Sequence, residues 1–324
     1  PPRLEQMERF FGERFPTPDG ESLKHAFNRV VGKAVEGRLG RAATVSFTAP
    51  DVSFVIDVST ERLDLHVASL YVYGRYRKLH RGIPQTKWPC RRCRGRGCPS
   101  CGFTGKQYPE SVEEWIAAPL LEAADAETAH LHGAGREDID ARMLGSGRPF
   151  VLEIEAPRHR TLDLAARRAE IDRFAGGGGE VAALSLVNRA TVATVKETPA
   201  LKRYRAQVEF DAPVRPEALT DVLAALCGEI AQRTPRRVAH RRADRVRQRR
   251  LLAASGTLDS PQSARVEFET EAGLYVKELV SGDAGRTTPN LAEVLGVGAL
   301  VTELDVLEVR SAAFPDAAGV VDNV

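Results

Sequence analysis

The chain predicts an α+β fold, and three observations support that prediction. Polar and apolar residues alternate, as on strands with one buried face, at 52–58, 63–73, 204–210, 264–270 and 301–309. Apolar residues recur at helical spacing at Leu23, Phe27, Val30, Val31 and Ala34, and again at Leu219, Val222, Leu223, Leu226 and Ile230. Hydrophobic residues make up 43% of the 324 positions, enough for a core and too many for a disordered chain.

Taken in order, residues 22–35 predict a helix and 52–73 two strands, a small α/β unit. Tyr71, Tyr73 and Tyr76 alternate with Arg75, Arg77 and Lys78, which reads either as aromatic strand packing or as stacking and phosphate contacts to RNA. The segment YPESVEEWI (108–116) opens a helix, with Ser111 as cap and Glu114 completing a capping box. A Gly-rich loop at 135–150 leads into the strand FVLEIEA. Residues 162–174 predict a helix ended by Gly176–Gly179, and 188–203 a polar, basic loop. Cys227 falls at a core position of a predicted helix.

No run of 18 apolar residues exists, and the start shows no signal-peptide pattern, so a cytoplasmic protein with no membrane contact is expected. The chain begins Pro-Pro and its first methionine is Met7, so the natural start is expected to be trimmed or to lie upstream. Net charge is only +2, but RRVAHRRADRVRQRR (236–250) concentrates arginines around a single acid. Such a block reads as a phosphate-contacting surface or as a solvated basic face.

Cys90, Cys93, Cys98 and Cys101 form two Cys-x-x-Cys knuckles in CRRCRGRGCPSC. This spacing suits a structural zinc held by four thiolates, with Gly95 and Gly97 letting one knuckle fold onto the other. Neighbouring arginines favour thiolate, and disulfides are disfavoured in a cytosolic chain.

In GREDIDARMLGSGRPF (135–150) an aspartate lies among arginines on a turn. Such a carboxylate stays ionised cheaply, as a nucleophile or base must, or it is simply a structural ion pair. In GLYVKELVSGDAGRTTPN (273–290) a strand-like run would put Tyr275 and Lys277 on one face.

These two segments, with HRRADRVRQRR (240–250) and IPQTKWPC (83–90), resemble in order the tRNA pseudouridine synthases of the Pus-ten type, most closely the archaeal members. The resemblance runs from about residue 71 to the end. It implies a mixed or antiparallel-sheet catalytic domain at 83–324 containing a zinc knuckle at 88–104, preceded by a THUMP-like RNA-binding module at 1–82. It implies isomerisation of uridine to pseudouridine at positions 54 and 55 of the tRNA T-loop, with tRNA as partner, no catalytic cofactor and no obligate protein partner. Asp138 and Asp140 are two residues apart and spacing does not choose between them; the resemblance places the catalytic aspartate at Asp138. It makes Lys277 the partner of that aspartate, Tyr204 the platform under the uracil, and Leu304 the apolar residue beneath the base. Tyr275 and Val276, where relatives usually have Ile, fall beside the substrate. Arg136, Arg148, His240, Arg241, Arg242, Arg245 and Arg247 are expected as phosphate or structural cations, and Asp140 as the partner of Arg142 or Arg148. In relatives a thumb-like loop near 188–203 grips RNA.

Two other classes were weighed. A non-catalytic tRNA-binding protein would not need the Asp138, Lys277 and Tyr204 set. A zinc deaminase needs His-x-Glu before Pro-Cys-x-x-Cys, and neither His66 nor His80 has that glutamate.

Overall fold

Ser22 accepts a hydrogen bond from the backbone of His25 and starts α1 (Leu23–Leu39). The computed structural model describes residues 6, 9–10, 21–40, 45–57 and 59–315. The chain divides into two compact units, Pro1–Ala68 and Ser69–Val324. In the first, α1 is followed by an antiparallel ribbon, β1 (Val52–Asp57) against β2 (Arg62–Val67).

The second unit is built on one large mixed sheet, and it takes in β3 (Leu70–Lys78), which the sequence reading had placed in the N-terminal module. The two compact units meet at 68/69, and β3 is hydrogen-bonded on both edges within this sheet. The remaining strands are β4 (Thr128–Gly133), β5 (Ala141–Glu155), β6 (Gly179–Val187), β7 (Leu201–Phe210), β8 (Gly228–Arg233), β9 (Val246–Ser260), β10 (Ser263–Thr270), β11 (Thr287–Thr288) and β12 (Ala299–Arg310). They lie in the order β11-β8-β9-β10-β7-β12-β5-β3-β6, with β4 also pairing β5. The β12–β5 ladder, Leu304↔Ala141 to Val306↔Met143, is parallel.

Helices cover the sheet. Ser111 caps α2 (Val112–Ala124), accepting from the Glu114 N–H at 3.3 Å; the Glu114 carboxylate returns to the Ser111 hydroxyl at 2.8 Å rather than to the backbone N–H a capping box would use. The others are α3 (Leu164–Phe174), α4 (Ala190–Glu197), α5 (Pro216–Leu226), α6 (Val276–Ser281) and α7 (Leu291–Leu295). Two apolar cores result. One lies around β3, β5 and α2, with Phe150, Trp115 and Ile116; the other lies around β7, β10 and α5, with Phe268, Leu219 and Leu223. Tyr204 packs against both.

Four local expectations are corrected. The run from Val276 to Ser281 is helical, since Val276, Leu279 and Val280 are buried at i, i+3 and i+4 spacing. Residues 188–203 form α4 and the start of β7 rather than a loop. Ile230 belongs to β8, not to the preceding helix. Cys227 caps the end of α5 and is exposed.

Candidate active site

The segment 135–140 leaves the first core and turns sharply, the Ala141 N–H bonding back to the Asp138 carbonyl at 3.1 Å, before β5 begins. Lys78, fully buried at the end of β3, donates to the carbonyls of Ile83 (2.7 Å), Asp138 (3.2 Å) and Ile139 (3.1 Å). Burial holds this amine down to about 8, and the three carbonyls are what the ammonium receives in place of water. Arg81 adds a bond to the Asp140 carbonyl at 3.0 Å. Beneath the turn, Glu137 receives Arg148 Nε at 2.7 Å and the Tyr76 hydroxyl at 2.8 Å, while Gln85 donates to Tyr76 at 2.8 Å and to the Gly135 carbonyl at 3.1 Å. The loop is thus a rigid platform whose supports came undetected from the sequence.

On it the Asp138 carboxylate faces two cations. Arg237 Nη1 donates to both its oxygens, at 2.9 and 2.8 Å, and Arg237 Nε donates to the buried Glu278 at 2.6 Å. Burial works against this guanidinium, but Glu278 and Asp138 more than offset that and raise its pKa. Lys277 Nζ is 3.7 Å from Asp138 and 2.6 Å from Asp140. Burial opposes ionisation of Asp140, yet the Lys277 ammonium outweighs it and keeps the carboxyl below its usual range. Asp140 thus pairs with Lys277, not with Arg142 or Arg148 as expected; Arg142 is spent on Asp305 at 2.7 and 2.8 Å.

Lys277 reaches this point from the first turn of α6. Gln232 fixes the entry to that helix, accepting from the Tyr275 N–H at 2.8 Å and donating to its carbonyl at 2.9 Å. Tyr275 carries the Arg237 guanidinium over its ring at 5.7 Å, and Val276 is buried beneath. Tyr275 and Lys277 do not share a strand face, because they stand on a helix start.

Tyr204 and Leu304 lie at the seam between the two halves of the sheet. Tyr204 pairs with Val306, and Leu304 with Ala206 and Ala141. Directly paired residues point to one side, so Tyr204 and Leu304 share a sheet face. Burial pushes the Tyr204 hydroxyl up to about 12, with Asp138 and Glu137 adding to it against Arg148. The side chain is therefore a neutral ring across physiological pH.

Of the expected phosphate cations, Arg148 is 1% exposed and closed into the Glu137 pair, out of reach of a nucleic-acid backbone. Arg136 stacks over Trp88 at 5.1 Å, and Trp88 meets Tyr108 edge-on at 5.7 Å, which ties the cysteine knuckle to the turn. Arg247 donates to the Thr234 hydroxyl at 3.0 Å. His240, Arg242 and Arg245 are exposed, and the Arg241 side chain lies outside the described residues. Arg237 was missed because it sat in a run read as one uniform basic face; the apolar Val238 beside it, now buried, was the signal that this run touches the core.

The four knuckle thiols gather with every sulfur within 4.8 Å of the others. Cys90–Cys98 and Cys93–Cys101 are each 3.9 Å apart and Cys98–Cys101 3.8 Å. Sulfurs around one tetrahedral ion with bonds near 2.3 Å stand about 3.8 Å apart, so the set fits a single metal. The N–H groups of Gly97, Cys98 and Gly105 point at Cys93 and Cys101 sulfurs at 3.2–3.3 Å, a donor shell suited to thiolates. Gly97 has φ +87°, and a Cβ there would lie 2.7 Å from the Phe103 carbonyl.

A sequence profile described as "Pus10, C-terminal" matches residues 71–310, the stretch that contains the sheet, knuckle and turn just described. The chain belongs to the Pus10 family. A second Pus10 profile, "Pus10 THUMP domain, archaeal", matches residues 1–57. A protein of Methanothrix thermoacetophila called "tRNA pseudouridine synthase Pus10" is 51% identical over 289 residues, 89% of this chain and 64% of that one. A protein of the same name from Halorubrum lacusprofundi is 49% identical over 96% of this chain and 74% of its own. The chain thus spans about two thirds of the length of the first of these Pus10 relatives. No helix among the described residues is long and apolar enough to cross a membrane.

Proposed function

We propose that this chain isomerises uridine to pseudouridine in tRNA, at T-loop positions 54 and 55, and acts in the cytoplasm. The observation behind this reading is the Asp138 carboxylate held between Arg237 and Lys277 beside the face that bears Tyr204 and Leu304. The target base is stacked inside folded tRNA and must be flipped out to be reached. Asp138, ionised, acts on the ribose as nucleophile at C1′ or as base, and the bond from C1′ to N1 of uracil breaks. The detached base turns on the Tyr204 ring with Leu304 behind it, and C5 bonds to C1′. The C5 proton leaves and N1 takes one up, so composition is unchanged. Arg237 and Lys277 keep the carboxylate aimed, and Arg237 is in turn fixed by Glu278.

The Cys90, Cys93, Cys98 and Cys101 set is read as a structural zinc site, since four thiolates leave no open position for chemistry. Arg136, Arg242 and Arg245 are read as RNA-facing cations and residues 1–68 as an accessory RNA-binding module.

The test is pseudouridine mapping by carbodiimide primer-extension stops on an unmodified tRNA transcript. T-loop stops with the wild type and none with Asp138→Ala are expected. No stop with either protein, despite tight tRNA binding, would refute the catalytic reading.

A further inference from the structure

A cleft of about 580 Å³ opens beside the catalytic turn, walled by the α4–β7 connection, Ala134 and Gly135 on one side and by Arg249, Glu271 and Ala272 on the other. Lys202 projects into it from the second residue of β7. Lys202 and Tyr204 are two apart on that strand, so they share a face with their backbones about 7 Å apart.

Lys196, Lys202 and Arg249 line this cleft against Glu197 and Glu271. Lys202 makes no side-chain hydrogen bond or ion pair among the described residues. The Arg148 guanidinium works against its charge, and Glu137 only partly offsets that. A Cβ built on Gly135 would lie 3.2 Å from Lys202 Nζ and 3.3 Å from Arg148 Nη1, so both cations converge on one backbone point, which glycine at φ +79° leaves open. Arg148 is already committed to Glu137 and to the Ala134 carbonyl at 2.6 Å, so Lys202 feels Glu137 only at a distance and has no bonded partner of its own among the described residues. Burial and Arg148 together hold that amine at about 8. On the opposite wall the Arg249 Nε is buried without a partner, lying against Gly273 at the head of the segment that delivers Lys277. Glu271, the acid on that wall, is turned to the Arg250 N–H at 3.3 Å. A desolvated ammonium facing a guanidinium, with an orphan N–H opposite, is costly unless an anion completes it.

We propose that this cleft is an anion site for one phosphodiester of the substrate strand, the phosphate flanking the flipped uridine, held by Lys202 and Arg249. The proposal rests on the RNA-modifying reading above. A nucleotide turned out toward Tyr204 brings its own flanking phosphates with it, and the site lies two residues along the same strand. Its role is to fix the depth of insertion of the flipped nucleotide; it does not touch the reacting bond.

The experiment measures binding of a T-arm RNA with a neutral methylphosphonate placed at each phosphate in turn, for wild type and Lys202→Met. Wild type should lose about tenfold affinity at one phosphate next to the target uridine, and Lys202→Met should be about tenfold weaker on normal RNA yet indifferent at that same position. Lys202→Arg should recover most of the binding. Equal loss by the variant at every position would overturn the proposal. Should Lys202→Met not fold, acetylation of Lys202 in the wild type is followed by mass spectrometry. The RNA should slow it, and the RNA neutralised at that phosphate should not; no protection, or equal protection by millimolar inorganic phosphate alone, would also overturn it. Pseudouridine formation by the wild type is scored separately, so loss of the phosphate site with activity intact condemns only this inference.

Discussion

Arg237 Nη1 stands 2.9 Å from one carboxylate oxygen of Asp138 and 2.8 Å from the other. A single nitrogen bridging both oxygens fixes the plane of the carboxylate, and Glu278 fixes the nitrogen. Arg237→Met should lower kcat about 10- to 100-fold with a smaller change in KM, from the ~1.5–3 kcal/mol of a hydrogen bond to a charged group. Arg237→Lys should recover part of this. Single-turnover pseudouridine formation measures it; an unchanged kcat in Arg237→Met would remove Arg237 from the site.

Lys277 divides the two aspartates by distance, 2.6 Å to Asp140 and 3.7 Å to Asp138. Asp140→Asn frees Lys277 to close on Asp138, so activity should persist within about tenfold, whereas Asp138→Asn should abolish it. Loss of activity in both variants would show that spacing alone could not have separated them for good reason, and would make the pair a functional unit.

The Glu137–Arg148 pair is buried at 2.7 Å, and breaking one side strands the other charge away from water. Glu137→Gln should lower the unfolding free energy by about 3–5 kcal/mol in urea titrations. The double variant Glu137→Gln with Arg148→Met should cost less than the sum of the singles, because the stranded charge is then gone.

Cys93→Ser should lose bound zinc, which elemental analysis should find at one equivalent in the wild type. Trp88 lies between the knuckle and Arg136, so metal removal by a chelator should change its fluorescence and weaken the catalytic turn. Wild-type protein without zinc would overturn the metal assignment.

Lys78 titrates at about 8 in the folded protein, below the usual ~10.4 of an unfolded lysine. The unfolded chain therefore binds more protons between these values. The cost of burying the charge is present in full below pH 8 and fades as pH rises toward 10.4, so this group makes stability rise across that window. Lys202, also lowered to about 8, acts in the same sense. The slope of unfolding free energy against pH between 8 and 10 should be less positive in Lys78→Met than in wild type; an unchanged slope would refute the depressed value.

Much of this was legible in the sequence where local chemistry decides structure. The Ser111–Glu114 cap, the four cysteines, and the strands at 204–210, 264–270 and 301–309 each depend on neighbours or on period-two alternation. The helix at Val276–Ser281 was misread because six residues are too few for periodicity to separate helix from strand. The strand at Val246–Ser260 went unseen because its first residues are arginines whose strand character comes from pairing with β8 and β10. Arg237, Glu278 and Lys78 were invisible for a different reason. Their partners lie 99, 41 and 60 residues away in sequence, and only the folded chain joins them.

The last strand among the described residues, β12, is not at the margin of the sheet but near its middle, between β7 and β5. During synthesis, the ribosome must therefore release residues 299–310 before the two halves can fuse, and until then β5 and β7 each present an open edge. Asp138 and Tyr204 belong to opposite halves, so a chain that stops short of β12 holds both residues in covalent sequence without the strand that joins their halves. If the proposed function holds, competence toward RNA arrives at a single late step, and a stop codon before residue 299 removes it.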